Sequence, residues 1–146
     1  MNELQRIDIR KTYDDGSIGT PTIINYDEEE ERNRIIDPEE LVIKEERITI
    51  LFTYPLSVKV KIEFENKRGF TRLDLFRCIY KGYKKIYDEE EEEVGDPGTY
   101  DRLYNRKKSH GKYGIWGHYM DDLWLEIIYY DPLERLCTLA IGSWIT

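Results

Sequence analysis

SVKVKIEFENKRGFTRLDLFRCIYKGYKKIYDEEEEE, residues 57–93, changes its period halfway along. Val58, Val60, Ile62 and Phe64 alternate with Lys59, Lys61, Glu63 and Glu65, the period-2 signature of a strand with one face on a core and one in water. Residues 66–69 read as a turn, and Thr71 with Asp74 three positions on makes an N-cap with a short-armed capping box. Beyond it Leu73, Phe76, Ile79, Tyr80, Tyr83, Ile86 and Tyr87 recur at helical spacing. The spacing predicts a helix over 72–88, with Gly82 marking a close approach to the sheet. The acids at 88–93 are expected to fray its C-terminus, where the macrodipole disfavours negative charge. One-sided alternation belongs to antiparallel sheets covered on a single face and argues against a doubly wound parallel fold.

Working outward, residues 47–52 are rich in β-formers. Near the start, Ile7, Ile9 and Tyr13 lead into a DG turn at 14–17, and 18–26 runs back as the second arm of a hairpin that Pro21 interrupts or places at an edge. The acidic run at 27–31 is kept solvated by its like charges, and residues 27–40 read as a loop or a short, weakly held helix. Residues 94–117 are glycine-rich and irregular, and 123–130 with 136–141 form a C-terminal hairpin about the turn holding Pro132. The expected fold is α+β: a mainly antiparallel sheet of five to seven strands with one principal helix packed on one face. It is expected to be a single domain over 1–146, with a polar N-terminal part at 1–47 and a core at 48–146.

The 146 residues carry 22 basic and 30 acidic side chains, a net charge of -8, which disfavours wholesale coating of a phosphate polymer. No apolar run reaches the roughly 20 residues that span a bilayer, and the opening MNELQRIDIR lacks the apolar centre of a secretory signal, so an intracellular, soluble protein is expected. Cys78 and Cys137, 59 positions apart, form no zinc or redox motif and read as buried free thiols. Neither phosphate-binding glycine motif occurs, and no serine has an assignable base; the sequence points to no cofactor and no catalytic residue. His118, Asp121, Asp122 and Glu126 are the right groups for a divalent metal or for acid/base work. Their spacing fits no metal motif, and the segment reads as a packed glycine-rich loop followed by turn acids.

Two stretches taken together, GFTRLDLFRCIYKGYKKIYDEEEE at 69–92 and GKYGIWGHYMDDLWLEIIYYDPLERLCTLAIGS at 111–143, resemble an uncharacterised domain. That domain is found in large DNA viruses of the Marseillevirus type and in scattered fungal and other eukaryotic proteins. The distinctive order is an aromatic helix ending in acids, then YGIWGH, an apolar strand, a turn and IGS. The resemblance covers roughly half of the chain. It implies a compact α+β domain and, through the viral members, a protein carried in a virus particle; it brings no catalytic residue with it.

Interaction sites are therefore the candidates. Arg102, Arg106, Lys107, Lys108 and Lys112 lie together without an acid, with Tyr104, Tyr113 and Trp116 among or just beyond them, and basic groups interleaved with rings can clamp a nucleic-acid backbone and stack bases. The same segment can instead fold against the acids at 88–93 or against another copy. The runs at 27–31 and 88–93 could recruit a basic protein. Trp124, Ile128 and Tyr130, with Trp144 in the apolar tail, mark a strand whose two faces both need cover, which one helix cannot supply; either the N-terminal hairpin or a second subunit closes the other layer. The leading expectation is a non-enzymatic structural or interaction protein that forms a homodimer through that surface. A nucleic-acid-associated protein comes second and a metal-assisted hydrolase a distant third.

Overall fold

A computed structural model describes residues 3–24, 34–102 and 105–143. The acidic run at 27–31, Tyr104 and Trp144 lie outside the described residues. The strands are β1 (Gln5–Ile7), β2 (Lys11–Thr12), β3 (Ile18–Gly19), β4 (Leu41–Ile43), β5 (Arg47–Phe52), β6 (Val60–Glu65), β7 (Phe70–Thr71), β8 (Leu123–Asp131) and β9 (Leu136–Ser143). A helix, α1 (Arg72–Val94), lies between β7 and β8. The architecture is α+β, as expected: a five-stranded sheet in the order β1-β8-β9-β5-β6, plus the two-stranded pairs β2-β3 and β4-β7. The sheet is mixed, because β5 and β9 run parallel while its other pairs are antiparallel.

The alternation in β6 is realised in register. Phe64, Ile62 and Val60 stand opposite Ile48, Ile50 and Phe52 of β5, and these rows continue through Cys137 of β9 to Tyr130 of β8. α1 packs on that inward face through Leu73, Phe76, Ile79, Tyr83 and Ile86, all buried. Its start is the anticipated capping box: the Asp74 amide donates to Thr71 Oγ1 at 3.0 Å and the Thr71 amide donates to Asp74 Oδ2 at 3.1 Å. At Gly82 a Cβ would lie 2.1 Å from Phe52 Cζ, so only glycine lets the helix sit this close to the sheet. The N-terminal hairpin is small, β2 with β3 about Gly16 at φ 85, and ends before Pro21. Cys78 is half-buried and Cys137 buried, both free, and burial pushes each thiol up to about 12.

Two local expectations are corrected. The helix does not end at 88 but continues to Val94, with Gly95 at φ 77 closing it. Ion pairs Lys84–Asp88 and Lys85–Glu89 link successive turns, and the loop that follows supplies donors to the acids, outweighing the macrodipole. In β8 the inward residues change parity: Leu123 and Leu125 are buried, then Ile128 and Tyr130. The register shifts between Leu125 and Ile127, a bulge that turns Glu126 and Ile127 outward in succession. Ile128 and Tyr130, expected on a self-association surface, are thereby core residues of their own protomer, exposed by 0% and 1%.

Candidate interaction surfaces

The basic segment and the acidic end of α1 are two halves of one structure. Glu90 continues the buried stripe of α1 at helical spacing from Ile86 and Tyr87 and is fully buried. Its carboxylate accepts hydrogen bonds from the Ser109 hydroxyl at 2.5 Å and from the amides of Tyr113 (2.9 Å), Gly111 (3.2 Å) and Ile115 (3.3 Å). Burial works to raise this carboxyl, yet the four donors outweigh it and hold the group below the ordinary glutamate range. Gly111 is glycine because a Cβ there would lie 2.4 Å from Glu90 Oε1. On either side, the Lys112 amide donates to Glu93 Oε2 at 3.0 Å, and the Lys112 ammonium meets Glu89 Oε1 at 2.7 Å.

Arg106 completes this interior. Its Nη1 donates to Ser109 Oγ and to the Ile115 carbonyl, each at 3.2 Å, so the Ser109 hydroxyl bridges a buried guanidinium and a buried carboxylate. The guanidinium carbon stands 5.5 Å from the Tyr87 ring centre and 5.9 Å from that of Tyr119. Tyr119 is held in turn by its hydroxyl, which donates to Asp96 at 2.9 Å.

These contacts are those of the alternative in which the basic segment folds against the acids at 88–93. Arg106 is 0% exposed and reaches no external phosphate, and Lys112 is paired with Glu89, leaving Arg102, Lys107 and Lys108 exposed with Trp116 from the proposed clamp. Trp116 itself leans edge-on against Tyr54, ring centres 5.4 Å apart. The run at 88–93 is likewise mostly spent inside the molecule: Asp88 on Lys84, and Glu89, Glu90 and Glu93 on the loop. No group of three or more metal-capable side chains occurs among the described residues. His118 is buried with its carbonyl accepting from the Tyr87 hydroxyl at 2.8 Å, and burial, partly opposed by Asp122, lowers its imidazole pKa.

The remaining surface is the outward face of the sheet. Trp124, Ile127 and Tyr129 of β8 stand beside Gly142, Ala140 and Thr138 of β9, and Thr138 stands beside Leu51 of β5. All of these are partly exposed, and they alternate with or follow the residues that enter the core. The Trp124 indole sits close over Gly142, where a Cβ would fall 2.1 Å from Nε1, and it donates to Glu126 at 3.1 Å. Among the described residues, the N-terminal segment leaves these positions partly exposed. Residues 21–23 pair along the edge of β8, Arg10 Nη1 donates to the Glu126 carbonyl at 2.9 Å, and Tyr13, Thr20 and Thr22 lie beside Trp124. Around the patch stand Arg6, Lys61, Glu63 and Glu126, exposed and of both signs. Ile127 and Tyr129 are thus the residues missing from the expected association surface, displaced from view by the bulge.

Among the described residues no helix is long and apolar enough to cross a membrane. A scan against protein-family models found no match, and searches of the curated proteins and of the solved structures found none either.

Proposed function

We propose that this chain is a non-enzymatic interaction protein that forms a homodimer by laying the outward face of its sheet against the same face of a second copy. The observation that supports it is the strip of Trp124, Ile127, Tyr129, Ala140 and Leu51, an apolar and aromatic surface on a sheet whose helix lies on the other side. Aromatic centres within a polar rim are the composition of protein interfaces, and a rim of both signs is self-complementary under a two-fold axis. Carriage in a virus particle, which the resemblance of 69–92 and 111–143 implies, belongs to the same proposal and rests on those residues alone.

Sedimentation across micromolar concentrations should show a species of twice 17.6 kDa. Ile127→Glu places a charge at the centre of the strip and should weaken association by about 2–4 kcal/mol, on the order of 100-fold, while circular dichroism stays unchanged. A chain that sediments as a monomer throughout, or a dimer indifferent to Ile127→Glu, overturns the reading.

A further inference from the structure

A cavity of about 360 Å3 opens beside the C-terminal half of α1. Its walls are aromatic and apolar, with Tyr80 and Tyr87 from α1, Tyr119 and Met120 from the segment before β8, and Ile24 from the N-terminal segment. The hydroxyls of Tyr87 and Tyr119 are engaged by the His118 carbonyl and by Asp96, groups outside the cavity wall. The two rings are therefore fixed in place, Tyr87 almost wholly buried and Tyr119 partly exposed. Arg106 already stands against both rings from the interior, where no solvent reaches it, so their electronic character toward a cation is in use within this molecule.

The rim supplies charge. Asp88 is paired with Lys84 at 2.9 Å, and Glu91 and Asp121 are exposed carboxylates that take no hydrogen bond or ion pair among the described residues. With the Lys84–Asp88 pair cancelling, the mouth carries two uncompensated negative charges among the described residues, beside the three tyrosines of the wall. An anion is repelled there, and a neutral apolar ligand leaves the carboxylates unused. A positive group on an apolar stem meets both features at once, and the volume falls in the ordinary range for small-ligand sites, about 300–1,000 Å3. We propose that this cavity binds an organic cation, an ammonium or guanidinium group carried on an apolar stem. Such a group can come from a free amine or from a basic side chain of a partner protein, and the experiment separates the two.

The full chain is titrated with choline, with its uncharged isostere 3,3-dimethylbutan-1-ol, and with a short unstructured peptide bearing a single lysine, following the NMR signals of the Tyr80 and Tyr119 rings and the Met120 methyl. Saturable shifts with choline, at least about tenfold weaker for the alcohol, are expected. Shifts with the peptide alone assign the site to a protein side chain and equally support a cation site. Glu91→Gln combined with Asp121→Asn, both surface changes, should weaken binding about tenfold and remove its salt dependence. The proposal is overturned if no cation gives a saturable shift, if the alcohol binds as tightly as choline, or if the double variant binds as the parent does. The monomeric Ile127→Glu variant should bind the cation unchanged, so this result stands or falls apart from the dimer.

Discussion

Replacing Glu90 by alanine should destabilise the protein by about 3–5 kcal/mol, the scale seen when one side of a buried, hydrogen-bonded charge pair is removed. The substitution strands four donors at once, the buried Ser109 hydroxyl and Ile115 amide and the part-buried amides of Gly111 and Tyr113. It also leaves the Arg106 guanidinium buried without the carboxylate that Ser109 relays to it. Since a domain of this size is stable by only about 5–15 kcal/mol, the loss should appear as a fall of roughly 10 °C or more in thermal midpoint. The pH dependence gives a second readout, with a definite sign. A carboxyl held below its unfolded value, about 4.3, contributes stability that is present above that value and is lost as pH falls through the lower, folded one. Glu89 and Asp96, also lowered, add to the same acid limb, Glu89 mainly through Lys112 and Asp96 through the Gly98 amide. Glu90→Gln, which cannot ionise, should therefore flatten the fall in thermal midpoint between about pH 5 and 3 without abolishing it. An alanine variant within 1 kcal/mol of the parent, or a glutamine variant with an unaltered acid limb, would show that the loop is held by something else.

That the acids at 88–93 would be read as a fraying end shows where local reasoning stops. Macrodipole and charge repulsion are properties of the helix alone, and on those terms six acids at a C-terminus do not belong. What reverses the balance is a loop some twenty residues downstream that aims its amides at Glu90 and Glu93. One signal of it was present: extending the apolar stripe by one step from Ile86 and Tyr87 lands on Glu90, an acid at a core position. Features determined by neighbours in sequence were legible: the alternation of β6, the Thr71–Asp74 box, the hairpin of β8 and β9, and the glycine of close approach in α1. The outward strip was half legible. Leu123 to Tyr130 is apolar at both parities, so the need for cover on two sides could be read, but the allocation of residues to sides depends on a bulge that shifts them by one. Nothing in the composition of the basic segment marks Arg106 apart from Lys107 and Lys108; only the convergence of Ser109, Ile115, Tyr87 and Tyr119 does.

Gly82→Ala sets two effects of opposite sign against each other, and packing should win. Alanine is the better helix former by roughly 0.5–1 kcal/mol. Its Cβ, however, would fall 2.1 Å from Cζ of Phe52 and under 3.0 Å from both Cε atoms, so the ring must move or the helix must lift from β5. The ring has little freedom. Phe52 is fully buried and stands edge-on to Tyr83 with centres 5.0 Å apart, and Tyr83 is itself anchored by its hydroxyl to the Tyr54 carbonyl at 2.7 Å. Overpacking of this kind typically costs about 1–3 kcal/mol, which leaves a net loss of about 1–2 kcal/mol after the helical gain. A second change discriminates steric overlap from any other role of the glycine. Phe52→Leu alone should destabilise by removing ring contacts, but in the Gly82→Ala background it vacates the space that the new methyl needs. Denaturant titration of the four proteins should show the double variant more stable than the sum of the single losses by about 1–2 kcal/mol. Strict additivity, or a Gly82→Ala protein as stable as the parent, would mean that α1 can move away from the sheet and that its seat on β5 is looser than the contact with Phe52 requires.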